Sequence, residues 1–291
     1  MHRSPTCRRL FLASLLVVLS VVVLRADAPT VAAFGQRVFY TGHSFHMFVP
    51  PMIDEIVKTT EIKGHETAGR QGIGGSKVIQ HWELADGKNL AKPALISGKV
   101  DVFTMAPHLM IPDEGISNFV KLGLEHNAAM RFVLQGSWYP FDVAPPEAGA
   151  PDKRIKDNAQ RDNAKIEDLQ AAIDEWRTRM EKQADALNQQ YGKRCVYIVP
   201  VGDAVVKLRA MVQAGKFPGI TQQSKLFRDP IGHGLGHVMA LAAYCDFVAI
   251  YHMSPEGHSV SERSITPEQH KLLQKLAWDT VSNYPYAGVK Q

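Results

Sequence analysis

Short apolar runs alternate along this chain with stretches in which apolar residues recur every third or fourth position. The runs predict strands buried on both faces, and the recurrences predict amphipathic helices. Arg37–Tyr40 reads as a short strand ending at Gly42, and Pro50–Thr60 as a helix with Met52, Ile53, Ile56 and Val57 on one face. A strand is expected around Ile62–Thr67, then a glycine-rich stretch from Gly69 to Gly75. Ser76 is placed to cap a helix over Lys77–Leu84. Val100–Met105 predicts a strong strand that Pro107 ends, Asp113–His126 a helix, and Met130–Leu134 another strand.

The pattern then shifts. Ala144–Asp152 is rich in Pro, Ala and Gly, and residues 153–191 are strongly polar. Within that stretch Ile166, Leu169, Ile173, Trp176, Met180 and Leu187 fall on one stripe, which predicts a long amphipathic helix inserted at about 153–191. Its stripe faces either the sheet or a partner chain, and the sheet is the simpler expectation. Arg194–Val201 is a further strand, followed by helices over Asp203–Ala214, Leu235–Tyr251 and Pro267–Asn283. Strands separated by helices imply a parallel sheet covered on both faces, so the expected fold is a three-layer α/β/α sandwich.

The N-terminus follows different rules. Arg3, Arg8 and Arg9 precede an apolar run from Leu10 to Leu24, and small residues follow at Ala26, Ala28, Ala32 and Ala33. That is the layout of a secretory signal over residues 1–28. The apolar run, about 15 residues, is shorter than the roughly 20 that span a bilayer; an uncleaved anchor is the alternative. Cleavage is expected within 26–33, after Ala28 or after Ala33, leaving 29–291 as the folded domain. The expected location is secreted or periplasmic, with no stable membrane association once the signal is removed.

Charge narrows the partners. The chain carries 33 basic and 29 acidic residues, a net +4. Residues 1–28 hold four arginines (Arg3, Arg8, Arg9, Arg25) and Asp27, so the remainder has 29 against 28 and a net of about +1. No basic face points to nucleic acid. Cys7 lies in the signal segment, which leaves Cys195 and Cys245. They either pair or stand as buried thiols, and their apolar surroundings favour thiols.

Candidate chemistry sits where strands end, because ligands bind at the carboxyl ends of parallel strands. Gly42-His43-Ser44, Gly72–Ser76, Ala106-Pro107-His108 and Gly136-Ser137-Trp138 each follow a strand or its glycine-rich extension, and Asp229–His233 precedes a helix. A serine hydroxyl needs a histidine base, and that base needs a third group to orient it.

These segments resemble the SGNH, or GDSL-type, hydrolases. The resemblance spans about residues 37–285 and implies a flavodoxin-like three-layer sandwich. Gly42-His43-Ser44 stands in the place of Gly-Asp-Ser, which makes Ser44 the implied nucleophile. Gly72-Ile73-Gly74-Gly75-Ser76 resembles the glycine block, with Gly75 the implied oxyanion donor beside the Ser44 N–H. Thr104–His108 occupies the third block without its glycine or asparagine; His108 falls at the asparagine position, and either donates through a ring N–H or is unrelated to catalysis. Asp229-Pro230-Ile231-Gly232-His233 has one residue more than the family's Asp-x-x-His. His233 is the implied base, and either Asp229 or a backbone carbonyl orients it.

Rivals stand beside each reading. Ser44 has the alternative of capping the helix that follows. His237 competes with His233, and the two share the i, i+4 spacing of helical metal ligands. Gly232, Gly234 and Gly236 argue against one helix through both, so no metal is expected. Gly72-x-Gly74-Gly75 lacks the Gly-Lys-Ser/Thr ending of a phosphate loop, and no cofactor is expected. His43, His46 and Trp138 are candidate substrate contacts, with Tyr139 and Trp82 as further aromatics near the rim and Asp142 as either a supporting acid or a turn cap.

Two functions follow. One is a secreted serine esterase that releases acyl groups, acetyl among them, from carbohydrates or small esters. The other is a non-catalytic binding protein that uses the same cleft or the inserted helix. The separation of Ser44 and His233 discriminates between them.

Overall fold

The computed structural model describes residues 1–2, 34–108, 110–144 and 151–289. Beyond residues 1–2, the expected signal and both expected cleavage points lie outside the described residues. Five strands form one parallel sheet: β1 (Arg37–Gly42), β2 (Glu66–Gly72), β3 (Val102–Met105), β4 (Arg131–Gln135) and β5 (Val196–Val199). Their order is β2-β1-β3-β4-β5.

That order explains the layers. The chain steps from β1 outward to β2 through α1 (Val49–Lys58), which lies on one face. It then reverses direction, and α2 (Val78–Trp82), α3 (Ala91–Ile96), α4 (Glu114–His126) and α5 (Ile166–Gln190) cover the other face. Right-handed crossovers demand this switch of face when the direction of travel reverses. After β5, α6 (Val201–Gln213), α7 (Gly236–Tyr251) and α8 (Pro267–Ser282) join α1.

Side-chain alternation feeds both cores. Val38, Tyr40, Val102, Val133 and Val199 pack with α1 and α6–α8. Phe39, Phe103, Met105, Phe132, Leu134 and Ile198 pack with α2–α5. Apolar residues on both sides of each inner strand produce the continuous runs seen in the sequence.

Several boundaries differ from expectation. β2 is Glu66–Gly72 rather than Ile62–Thr67, and half of the glycine-rich stretch is strand. As an edge strand it is only half covered, so it lacks an apolar run; pairing along β1, from Arg37↔Glu66 to Gly42↔Gly72, defines it instead. Ser76 does not cap α2, whose N-cap is Lys77; its Oγ donates to the Ile73 carbonyl and meets His81 Nε2 at 2.7 Å. The inserted helix begins only at Ile166. Before it, Asn158–Asn163 forms a separate 3₁₀ turn, closed by an Asp157/Gln160 capping box. Leu169, Ile173, Trp176, Met180 and Leu187 are all buried against the sheet's own core, so the stripe faces the sheet.

Cys195 and Cys245 are free, buried thiols. Among the described residues no helix is long and apolar enough to cross a membrane. The crossovers diverge between β1 and β3, and in such a sheet that point opens a crevice at the carboxyl edge.

Candidate active site

Ser44 sits in the tight turn just beyond the end of β1, exposed at that crevice. The turn closes through His46 N and Met47 N, which both donate to the His43 carbonyl. The N-cap of α1 is Phe48, so Ser44 is not the cap of that helix. Its Oγ lies 2.9 Å from His233 Nε2.

His233 is oriented from behind by Asp229. Its Nδ1 lies 2.7 Å from Asp229 Oδ2. A carboxylate accepts, so Nδ1 carries the proton and Nε2 offers its lone pair to the Ser44 hydroxyl. The other oxygen, Asp229 Oδ1, accepts from Gly232 N at 3.0 Å and His233 N at 3.2 Å. Burial pushes the Asp229 carboxyl up, but these donors outweigh it, the His233 ring foremost, and the net direction is down. The extra residue between Asp and His is absorbed by a turn in which Gly232 N donates to the Asp229 carbonyl, with Gly232 at φ 101°. Other residues rarely adopt that conformation.

Two backbone donors face no acceptor. Neither the Ser44 N–H nor the Gly75 N–H is paired among the described residues. Gly75 lies at φ 61°, and a Cβ there would meet nothing within 4 Å. Glycine therefore supplies backbone conformation at this position rather than room. Gly75, Ser44, His233, His43 and His108 line one cleft of about 530 Å³, walled by Phe45, Phe141, Val143 and Ile231.

The other two cleft histidines, His43 and His108, are poor bases. Burial lowers His43 to about 3, helped by His108 and His46. Its Nδ1 accepts from Phe45 N at 3.2 Å. Burial, with Lys77 nearby, also lowers His108, whose ring stands 5.1 Å from that of His43. A neutral imidazole retains one ring N–H to donate.

Two expected substrate contacts lie behind the cleft. His46 is fully buried, with Nδ1 2.6 Å from Gln135 Oε1 and Nε2 2.8 Å from Thr104 Oγ1. Gln135 Nε2 in turn donates to the Phe45 carbonyl at 2.8 Å. The network thus supports the residue after Ser44 from beneath. Trp138 is also buried. It stacks on Phe45 at 4.6 Å, and its Nε1 donates to the Gly232 carbonyl at 2.8 Å. Phe45 meets the edge of His233 at 5.4 Å, so Trp138 acts on the imidazole through Phe45 and Gly232.

The remaining candidates separate from the site. His237 belongs to α7 and meets Gln269 Oε1 at 3.2 Å. The helix begins at Gly236, so His233 and His237 do not share one and do not present a common metal face. Trp82 packs on Phe119, and Tyr139 on Trp176. Asp142 is buried between Arg161 and Arg209. Sequence reasoning missed Arg161 altogether, because a lone arginine in a polar stretch gives no signal of burial.

The chain matches no family model and no curated protein. Among solved structures it is similar to a DUF4886 family protein from Bacteroides uniformis, with 16% identity, 86% of this chain and 96% of that chain covered, and a TM-score of 0.58. It is also matched to a protein from Parabacteroides merdae called a GDSL-like lipase, at 12% identity over 90% of this chain and 100% of that one, with a TM-score of 0.40. The first likeness establishes the α/β fold, a parallel five-stranded sheet flanked by helices.

Proposed function

We propose that this protein is a serine ester hydrolase. The observation that carries the reading is the unbroken relay from Ser44 Oγ through His233 to Asp229, at 2.9 and 2.7 Å, beside unpaired backbone N–H groups. A hydroxyl aligned on the lone pair of an oriented imidazole favours catalysis over binding alone.

Ser44 Oγ forms a bond to the ester carbonyl carbon while His233 Nε2 takes its proton. The negative charge grows on the carbonyl oxygen, which the Ser44 and Gly75 N–H groups and the neutral His108 ring stabilise. The carbon–oxygen bond to the alcohol breaks, and His233 returns the proton to the departing oxygen. Water repeats the sequence on the acyl-serine and releases the acid.

The cleft walls favour an ester with an apolar acyl part. Phe45, Pro140, Phe141, Val143 and Ile231 surround the space together with Arg154, and among the described residues no carboxylate or carboxamide lines it. Trp138, the candidate platform for a sugar ring, is buried behind Phe45 and offers no face to the cleft. Small esters with short to medium acyl chains fit better than polysaccharide acetates. The N-terminal signal pattern supports an exported enzyme.

Hydrolysis of p-nitrophenyl acetate, butyrate and hexanoate by the protein and by Ser44→Ala tests the reading. Wild-type turnover that rises with acyl length and falls by about 10⁶ in the variant supports it. Equal rates for the two proteins remove the serine mechanism, and a preference for acetate alone removes the apolar acyl site.

A further inference from the structure

Asp229–His233 lies on a loop outside the five-stranded sheet, yet most of its carbonyls accept hydrogen bonds. The loop closes on itself through Arg228 N to the His233 carbonyl, Gly232 N to the Asp229 carbonyl and a Phe227–Gly234 bridge, and further partners of its carbonyls come from a different part of the chain. The Pro230 carbonyl accepts from Arg161 Nη2 at 2.7 Å, and the Asp229 carbonyl from the same nitrogen at 3.3 Å. The Ile231 carbonyl accepts from Phe141 N at 2.9 Å, and the Gly232 carbonyl from Trp138 Nε1. Just upstream, Asn158 Nδ2 donates to the Ser224 and Phe227 carbonyls, both at 2.9 Å, and Asp162 accepts from Ser224 N and Oγ.

Arg161 is the centre of this strap. Its side chain is wholly buried. Nε donates to Asn158 Oδ1 at 3.0 Å, Nη1 donates to Asp142 Oδ1, and the guanidinium lies 4.5 Å over the Phe227 ring. Arg209 grips the same carboxylate through both of its terminal nitrogens, at 2.9 and 2.7 Å. Two guanidinium groups thus share one buried carboxylate. Such an arrangement is a poor source of net stability, because each charge loses its hydration on burial. What it secures is direction: the planar fork of Arg161 holds Asp142 on one side and loop carbonyls on the other. A Cβ at Gly232 would stand 2.9 Å from Arg161 Nη2, which keeps that turn residue small. Phe141 and Asp142 both adopt left-handed conformations, at φ 56° and 59°. That strain turns Asp142 towards the arginines and Phe141 into the cleft wall, and such strain persists only where surrounding contacts fix it.

We propose that Arg161, carried on the 3₁₀ turn at Asn158–Asn163, is a positioning residue that sets the Asp229–His233 loop at bonding distance from Ser44. The inserted segment is then a working part of the site. This proposal rests on the serine-hydrolase reading for its catalytic consequence, though not for its geometry.

Arg161→Lys separates positioning from charge. Lysine keeps the cation beside Asp142, but its single head group does not span Asp142 and the Pro230 carbonyl together. The expected result is a folded protein in which kcat on p-nitrophenyl butyrate falls by about 10²-fold, the scale of a small misplacement of catalytic groups, with KM little changed. The low-field proton resonance of His233 Nδ1–H, shared with Asp229, is expected to shift or vanish. Asn158→Ala, a partly exposed position that leaves the ion pairs intact, is expected to give a smaller loss of the same kind. A folded Arg161→Lys with wild-type kcat and an unmoved resonance overturns the proposal. Should Arg161→Lys fail to fold, Asn158→Ala decides with the same two outcomes. If the wild-type protein hydrolyses no ester and its Ser44 resists fluorophosphonate, the hydrolase reading fails; the His233 resonance in the variants then decides the positioning by itself.

Discussion

The two halves of the site are held by opposite means. The nucleophile turn grows directly from β1 and rests on neutral hydrogen bonds: His46 to Gln135 and Thr104, and Gln135 to the Phe45 carbonyl. The base loop has no strand to extend, and its anchor is a buried cation, Arg161, reaching from the inserted segment. A loop at a strand end inherits its position from the sheet ladder, so short polar side chains suffice to finish it. The base loop, between the 3₁₀ turn at Gln223–Leu226 and α7, has only a local Phe227–Gly234 bridge to extend, and several donors are brought to its carbonyls from elsewhere.

Asp229→Asn probes the base half most severely. Asparagine still accepts from Gly232 N and His233 N, so the loop keeps its shape. Its amide, however, presents either a donor to Nδ1 or an oxygen of much lower basicity. The wrong imidazole tautomer is then favoured, and kcat is expected to fall by about 10⁴ with little change in thermal stability. A loss below about tenfold would show that the backbone alone orients His233, a dyad rather than a triad.

His108→Ala probes the rim between the halves. Burial lowers this histidine from its ordinary 6.5, which favours the neutral ring, and the proposed mechanism uses it as an oxyanion donor. Removing one such donor typically lowers kcat by about 10²–10³. Steady-state kinetics on a p-nitrophenyl ester decide it. A variant with unchanged kcat would leave the Ser44 and Gly75 N–H groups as the sole donors.

The same contrast explains what could be read from the chain. The strands β1, β3, β4 and β5 were legible because both faces are apolar, and Ser44 was legible because a glycine turn after β1 has few other uses. Asp229 was the weaker half of the sequence reading, since its spacing to His233 departs from the family's pattern. What brings Asp229 against His233 is the Gly232 turn and donors 68 and 69 residues away in sequence, and no local pattern encodes such pairings. His46 and Trp138 were assigned to the substrate because of their neighbourhood. A polar residue beside a nucleophile faces the cleft or the core equally well, and only packing decides. The 3₁₀ turn at Asn158–Asn163 escaped notice because its polar residues satisfy loop carbonyls rather than solvent.

Acid offers the finest test of the two anchors. His43 and His46 are held at about 3 and about 4 by burial, whereas an unfolded chain titrates near 6.5. The unfolded state therefore takes up protons that the folded state refuses. Stability is full above about pH 6.5 and declines as pH falls towards 4, at about 1.4 kcal/mol per pH unit for each such histidine. Asp229 acts in a lower window. Its carboxyl is depressed below the ordinary 3.8, so its contribution persists down to about pH 4 and is lost only beneath that. Between pH 6.5 and 4 the nucleophile half is thus the one that weakens. Thermal melts across that range, on the protein and on His46→Gln, measure it: the variant is less stable at pH 7 but is expected to lose about 1.4 kcal/mol less per pH unit. Parallel slopes would mean that His46 is not the neutral strut of the nucleophile turn, and the contrast between a neutral anchor and a charged one would fall with it.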